Sequence, residues 1–271
     1  MSRGSAGHTI SARGAISALQ PISLDELNET AAMMTRVDRK YLVPLTRLDG
    51  VLDDLGASTR VLEIDGQRAS EYESVYFDTD GLESYLAAAR KRRRRFKVRT
   101  RTYVDSEQCY LEVKTRGGRS LTVKERVEHP VDERSSLESD GGYVDFALAE
   151  AGIEGVESNE MRPSMVTRYQ RTTLFVAEGN SRATIDTSLS WSIPGGETIS
   201  TPGLVVVETK SGSTPSPVDR VLWLHGHRPA NISKYGTGMA AMRPNLPSNK
   251  WRRVLNTQLL PAIAPTQRIA S

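Results

Sequence analysis

Residues 89–104 read ARKRRRRFKVRTRTYV, and the fold is decided by a change of character at Phe96. Before it, Arg90 to Arg95 follow the helix-like stretch GLESYLAAA (81–89) with no apolar residue among them. They read as an exposed collar that draws anions from a distance. From Lys97 onward the chain obeys strand alternation, in which residues i and i+2 share a face. Val98 and Thr100 point one way, Arg99 and Arg101 the other.

The same alternation recurs outward from this point. Glu112 pairs with Lys114, Lys124 with Arg126, Tyr169 with Arg171, Arg182 with Asp186, and Glu208 with Lys210. The opposite faces carry Leu111 and Val113, Leu121 and Val123, Ala183 and Ile185, and Val205 and Val207. One such strand is an ordinary sheet with one face in water. Across six strands the polar positions are almost all Arg, Lys, Glu or Asp, with little Ser, Gln or Asn between them. Strand-like segments near 36–43, 72–78, 96–104, 108–115, 120–128, 165–177, 182–190 and 203–210 are bounded by Gly, Pro, Asp or Asn. About eight strands with few intervening helices predict an antiparallel α+β protein. Closing such a sheet into a barrel leaves an interior lined from every strand. With apolar faces outward under flanking helices, the expected architecture is an eight-stranded tunnel with a charged interior.

The chain of 271 residues carries 36 Lys+Arg against 33 Asp+Glu, a net charge of only +3, so a strong positive field has to be local. The single cysteine, Cys109, excludes an intramolecular disulfide and a cysteine zinc site, and fits a reducing compartment such as the cytoplasm. No apolar run reaches the ~18–20 residues that cross a bilayer, so direct membrane insertion is not expected and work at a membrane would need a partner to anchor the chain. Residues 1–20 and 244–271 read as loosely ordered ends around an ordered domain at 21–243. Ser23-Leu-Asp-Glu26 has capping-box spacing and predicts a helix through Met34. Further helices are expected over 46–55, 142–151 and from Pro217 to about His225.

A basic interior requires a polyanionic guest, because buried like charges are costly without partners. Arginine suits phosphate through its two-pronged donor fork. The acids among the cations, Glu112, Asp186 and Glu208, could hold a divalent metal against phosphate oxygens. Metal and cations around a phosphate chain are what phosphoryl transfer requires. Nucleic acid is not expected as a partner, since only Phe96 and Tyr103 near the basic run could stack on bases. His225-x-His227 reads as the polar end of a helix rather than a metal pair. Gly236-Thr-Gly238 reads as helix packing, and Cys109 as a buried strand residue.

In order along the chain, R36-V-D-R-K40-Y-L-V, K97-V-R99-T-R101-T-Y103, Y110-L-E112-V-K114-T, V123-K124-E125-R126, Y169-Q-R171-T, R182-A-T-I-D186-T, V207-E208-T-K210 and S233-K234-Y235 resemble the VTC domain. This is the polyphosphate polymerase module within the CYTH, or triphosphate tunnel metalloenzyme, superfamily, and the resemblance spans roughly 30–240. It implies a tunnel barrel in which the γ-phosphate of ATP passes to a growing polyphosphate chain. Arg99, Arg101, Lys114 and Arg171 would neutralise the transferred group. Lys40, Lys124, Arg182, Lys210, Ser233 and Lys234 would hold phosphates. Glu208, with Glu112, would take Mn²⁺ or Mg²⁺. The resemblance also suggests a membrane-embedded partner at the inner face of a membrane. Two positions depart from pattern: Asn231-Ile-Ser-Lys234 stands where the family has Lys-Phe-Ser-Lys, and Arg36-x-Asp38-x-Lys40 where tunnel hydrolases have Glu-x-Glu-x-Lys. The second favours the polymerase branch. A tunnel triphosphatase acting on inorganic, nucleoside or thiamine triphosphate, and a non-catalytic module binding polyphosphate or inositol phosphates, are the alternatives.

Overall fold

The computed structural model describes residues 14–30, 37–116 and 122–264. Arg36, the end of the first predicted helix at 31–34 and the start of the strand expected from 120 lie outside them. The chain divides into two compact units, the first made of residues 1–70, 169–189 and 201–231, the second of 71–168, 190–200 and 232–271.

All eight predicted strands form, as β2 (Val37–Pro44), β4 (Ser70–Thr79), β5 (Arg95–Tyr103), β6 (Gln108–Arg116), β7 (Thr122–Glu128), β8 (Met161–Val176), β9 (Ser181–Ser192) and β11 (Leu204–Ser211). Three short strands were not predicted: β1 (Gln20–Ile22), β3 (Thr59–Leu62) and β10 (Thr198–Ser200). The main pairing order is β2-β11-β9-β8-β4-β5-β6-β7. Apart from the parallel β1–β3 pair, every pair with a described register is antiparallel, which is the expected class with flanking helices. Among the described residues no backbone pairing joins the two end strands, β2 and β7.

The first unit buries one face of its strands, including Tyr41, Val43, Ala183, Ile185, Val205 and Val207. That face packs under α2 (Leu48–Asp53) and α5 (Pro217–Leu224), which contribute Val51, Leu52, Val218 and Leu222. Helix α5 opens as predicted on Ser216, whose Oγ accepts from Asp219 N–H at 3.1 Å. It ends at His225, whose ring nitrogen lies 2.7 Å from Asp54 Oδ2, the polar helix end expected. Helix α1 (Leu24–Thr30) starts on the Ser23 cap, with Glu26 N–H donating to Ser23 Oγ at 3.2 Å. Residues 14–18 are helical, and Ile16 and Leu19 pack against the same core, so order reaches further toward the N-terminus than composition suggests.

In the second unit, Val75, Phe77, Val98, Leu111 and Val113 meet Val144, Ala147 and Leu148 of α4 (Gly141–Glu150). Cys109 is buried on this side, with Thr102 Oγ1 donating to its sulfur at 3.4 Å. Helix α3 (Glu83–Ala89) begins after Leu82, which offers no side-chain cap. The buried Asp78 carboxylate replaces it, accepting from the N–H groups of Thr79, Ser84 and Tyr85, each at 2.9 Å. The Tyr235 hydroxyl donates to the same carboxylate at 2.6 Å and thereby fixes the start of α6 (Lys234–Met242).

The Gly236-Thr-Gly238 reading as helix packing holds. A Cβ at Gly238 would lie 2.2 Å from the Trp191 ring, and one at Gly236 2.3 Å from the Trp251 ring. Gly238→Ala is therefore expected to lose up to about 3 kcal/mol by overpacking, seen as a lower urea midpoint. An unchanged midpoint would show that Trp191 can move aside. The stretch from 244, despite its prolines and charges, is not loose as far as residue 264. Trp251, Val254, Leu255 and Leu259 are buried, and Ala264 bridges to Ser200.

Candidate functional site

In the second unit the pairing register places Arg99 opposite Glu112, Lys97 opposite Lys114, and Arg101 opposite Tyr110. It then places Glu112 opposite Arg126 and Lys114 opposite Lys124. Directly paired residues share a face, so Lys97 joins the predicted Arg99, Arg101, Lys114, Lys124 and Arg126 in one array.

Glu112 organises its centre. Its buried carboxylate accepts from Arg99 Nε at 2.9 Å and Nη2 at 2.6 Å. Lys124 Nζ lies 3.0 Å away and Arg101 Nη1 3.6 Å away. Burial opposes its ionisation, but Arg99, Arg101 and Lys124 together hold it well below the usual carboxylate range. Three cations thus lie within 3.6 Å of this carboxylate. Glu112, expected beside Glu208 as a metal ligand, here contacts Arg99, Arg101 and Lys124.

Tyrosines form the floor of the array. Lys97 Nζ and the Arg99 guanidinium each lie 5.7 Å from the Tyr76 ring centre. Arg101 sits 5.9 Å above Tyr72, and Arg126 4.9 Å above Tyr110. Such contacts hold cations in place without neutralising them. Lys97 Nζ also donates to Ser233 Oγ at 3.1 Å, which joins the Ser233-Lys234 motif at the start of α6 to the array.

The first unit carries the other predicted cations. Lys40 Nζ lies 3.0 Å from Glu208 Oε1, and these residues are directly paired across β2 and β11. Lys210 is paired with Asp38 on one side and Arg182 on the other. The Arg182 guanidinium donates to the Leu27 carbonyl. Arg171 makes a two-pronged contact with Asp186, at 2.6 and 2.9 Å, and lies 5.2 Å from the Tyr169 ring centre. Asp186 is fully buried in this contact, so it too serves an arginine.

Glu208 differs in being partly exposed, with Lys40 in contact with its carboxylate. Among the described residues no three His, Cys, Asp or Glu cluster as a metal cage. A single accessible carboxylate still fits Mg²⁺ or Mn²⁺ bound mainly by substrate phosphates, which is how Mg²⁺ is usually held. Sequence reading missed the tyrosine floor. Its signal was present as alternation in β4, where Tyr72, Ser74 and Tyr76 share a face.

Antiparallel strands with flanking helices and faces lined by arginine and lysine define an α+β protein with cationic strand faces. The VTC domain profile matches residues 35–243, and the chain belongs to that family. No curated protein sequence matches. Among solved structures, the chain is similar to a putative adenylyl cyclase from Hippeastrum described as having a dominant triphosphatase activity. The identity there is 16%, over 76% of this chain and 96% of that one, with a TM-score of 0.48. It is also similar to a putative adenylate cyclase from Bacillus halodurans at 13% identity, over 73% of this chain and 94% of that one, with a TM-score of 0.46.

Proposed function

We propose that this chain is a metal-dependent phosphotransferase that moves the γ-phosphate of ATP onto a growing polyphosphate chain. The observation that carries the reading is the pairing of buried acids with arginines, Glu112 with Arg99 and Arg101, and Asp186 with Arg171. Guanidinium groups fixed in advance stabilise developing phosphoryl charge without reorganising. In the second unit, Arg99, Arg101 and Lys114 are assigned to the transferred phosphoryl group, and Lys124, Ser233 and Lys234 to neighbouring phosphates. In the first, Arg171 is assigned to phosphoryl charge, and Lys40, Arg182 and Lys210 to phosphates. Glu208 would hold the metal, which supplies Lewis-acid neutralisation of phosphate oxygens.

In the reaction, a terminal chain oxygen forms a bond to the γ-phosphorus while the β–γ bridging bond breaks and ADP leaves. Between fully ionised species this transfer releases no proton and needs no general base. Arrays of Arg and Lys, with the buried acids committed to arginines, suit it better than hydrolysis, which must activate a water. No helix among the described residues is long and apolar enough to cross a membrane. In this reading a membrane-embedded partner at the cytoplasmic face takes up the product.

Incubation with ATP and Mn²⁺, followed by phosphorus NMR, is expected to show internal phosphates of long polyphosphate. ADP and orthophosphate alone would replace the reading with a triphosphatase. Polyphosphate binding with no nucleotide turnover would replace it with a binding module.

A further inference from the structure

Strands β5 and β6 carry the charged alternation one step beyond the motif residues. Arg95 precedes Lys97 by two positions and Arg116 follows Lys114 by two, and the register sets Arg95 directly opposite Arg116. Arg95 is thus part of the strand, half-buried, and not of the exposed collar expected through that position. Arg90 to Arg94 are exposed as expected.

Arg95, Lys97, Lys114, Arg116 and Lys250 line a cavity of about 240 Å³ in the second unit, and no described residue of its wall is acidic. Tyr85 and Trp251, both buried, close its floor, and Ser233 and Gly236 contribute the start of α6. Like charges directly opposed on antiparallel strands are destabilising. Arg95 Nη1 donates at 3.3 Å to the Arg92 carbonyl and Lys250 Nζ at 3.1 Å to the Ala88 carbonyl. Arg116 Nε is buried with no hydrogen-bond partner, an arrangement that calls for a missing acceptor. Burial, and then the Arg116 charge, pushes Arg95 below its ordinary value. Burial, with Arg95, Lys91 and Arg116 nearby, does the same to Lys250.

We propose that this cavity is an inorganic-phosphate subsite in which Arg95, Arg116 and Lys250 grip a compact phosphate. The volume falls below the ~300–1,000 Å³ of drug-sized ligand pockets, too small for a nucleoside with its phosphates. The guest is therefore orthophosphate, pyrophosphate or the end of a phosphate chain, and not a nucleoside. The phosphate identity rests on the function proposed above, whereas the anion site rests on the cavity's own residues.

Thermal unfolding and calorimetry with orthophosphate, pyrophosphate and long-chain polyphosphate test it on the whole chain, on Arg95→Gln/Lys250→Gln and on Arg116→Gln. Without phosphate the variants are expected to melt at the same temperature as the parent or higher, since a like-charge contact has gone. Pyrophosphate affinity is expected to fall at least tenfold, with loss of its stabilising effect. A parallel loss for long polyphosphate identifies a chain end as the guest, and a loss confined to the small anions identifies free phosphate. Parent-like pyrophosphate binding in both variants overturns the subsite while leaving the proposed function standing. So does a lower melting temperature with the phosphate effect retained. A parent chain that binds no phosphate species overturns both.

Discussion

Glu112→Gln is expected to destabilise the protein by about 3 kcal/mol in the absence of phosphate. Removing one member of a buried charge cluster typically costs about 3–5 kcal/mol, and the low end applies because Lys124 is nearly half exposed. Glutamine keeps the volume and one acceptor oxygen. The charge is lost, and Arg99, Arg101 and Lys124 then face one another without the carboxylate charge between them. A polyanion can take the place of the missing carboxylate, so tripolyphosphate is expected to stabilise the variant more than the parent. Acid sensitivity follows from the same residue. The folded-state pKa of Glu112 lies far below its unfolded value, so its contribution is complete above about pH 4.3 and is lost as pH falls below that toward the folded value. Urea denaturation from pH 7 to pH 3, with and without tripolyphosphate, reads both effects. A variant as stable as the parent, with the same acid limb, would mean that the cations do not depend on Glu112.

The strand half of this arrangement was legible because period-two alternation is a direct imprint of the pleat. In β5, β6 and β7 the motif cations share one face, since these strands pair without a described bulge. What the alternation could not supply was partner choice. Glu112, Asp186 and Glu208 look equivalent as acids among cations, and only register and burial separate the two that hold arginines from the one left accessible. The C-terminal segment was misjudged for a different reason. Trp251, Val254, Leu255 and Leu259 have helical spacing, but Pro247 and Pro261 flank them and give the stretch a loop's composition. Lys250 was lost with it, and with Lys250 one wall of the basic cavity. Arg95 and Arg116 were within reach, one alternation step past each motif, but the arginine run hid where the strand begins.

Glu208→Gln is expected to behave in the opposite way to Glu112→Gln, and the contrast separates the roles of two acids flanked by cations. Glu208 contacts Lys40 at 3.0 Å, and Lys40 is about one-third exposed, so water compensates the lysine when the carboxylate charge is removed. A stability loss within about 1 kcal/mol follows, the scale of a solvent-accessible pair. Turnover is where the loss should appear. Metal neutralisation of phosphate charge is worth several kcal/mol in the transition state, which at about 1.4 kcal/mol per decade is on the order of a thousandfold in rate. Polyphosphate binding, which rests on the arginine and lysine arrays, is expected to stay within a few-fold of the parent and to keep its salt dependence. Measuring ADP release across a Mn²⁺ titration, beside polyphosphate affinity without metal, tests both halves. Parent-like turnover would remove Glu208 from the metal site. A collapse of metal-free binding would instead make its contact with Lys40 a structural support of the cationic face, in the way that Asp186 supports Arg171.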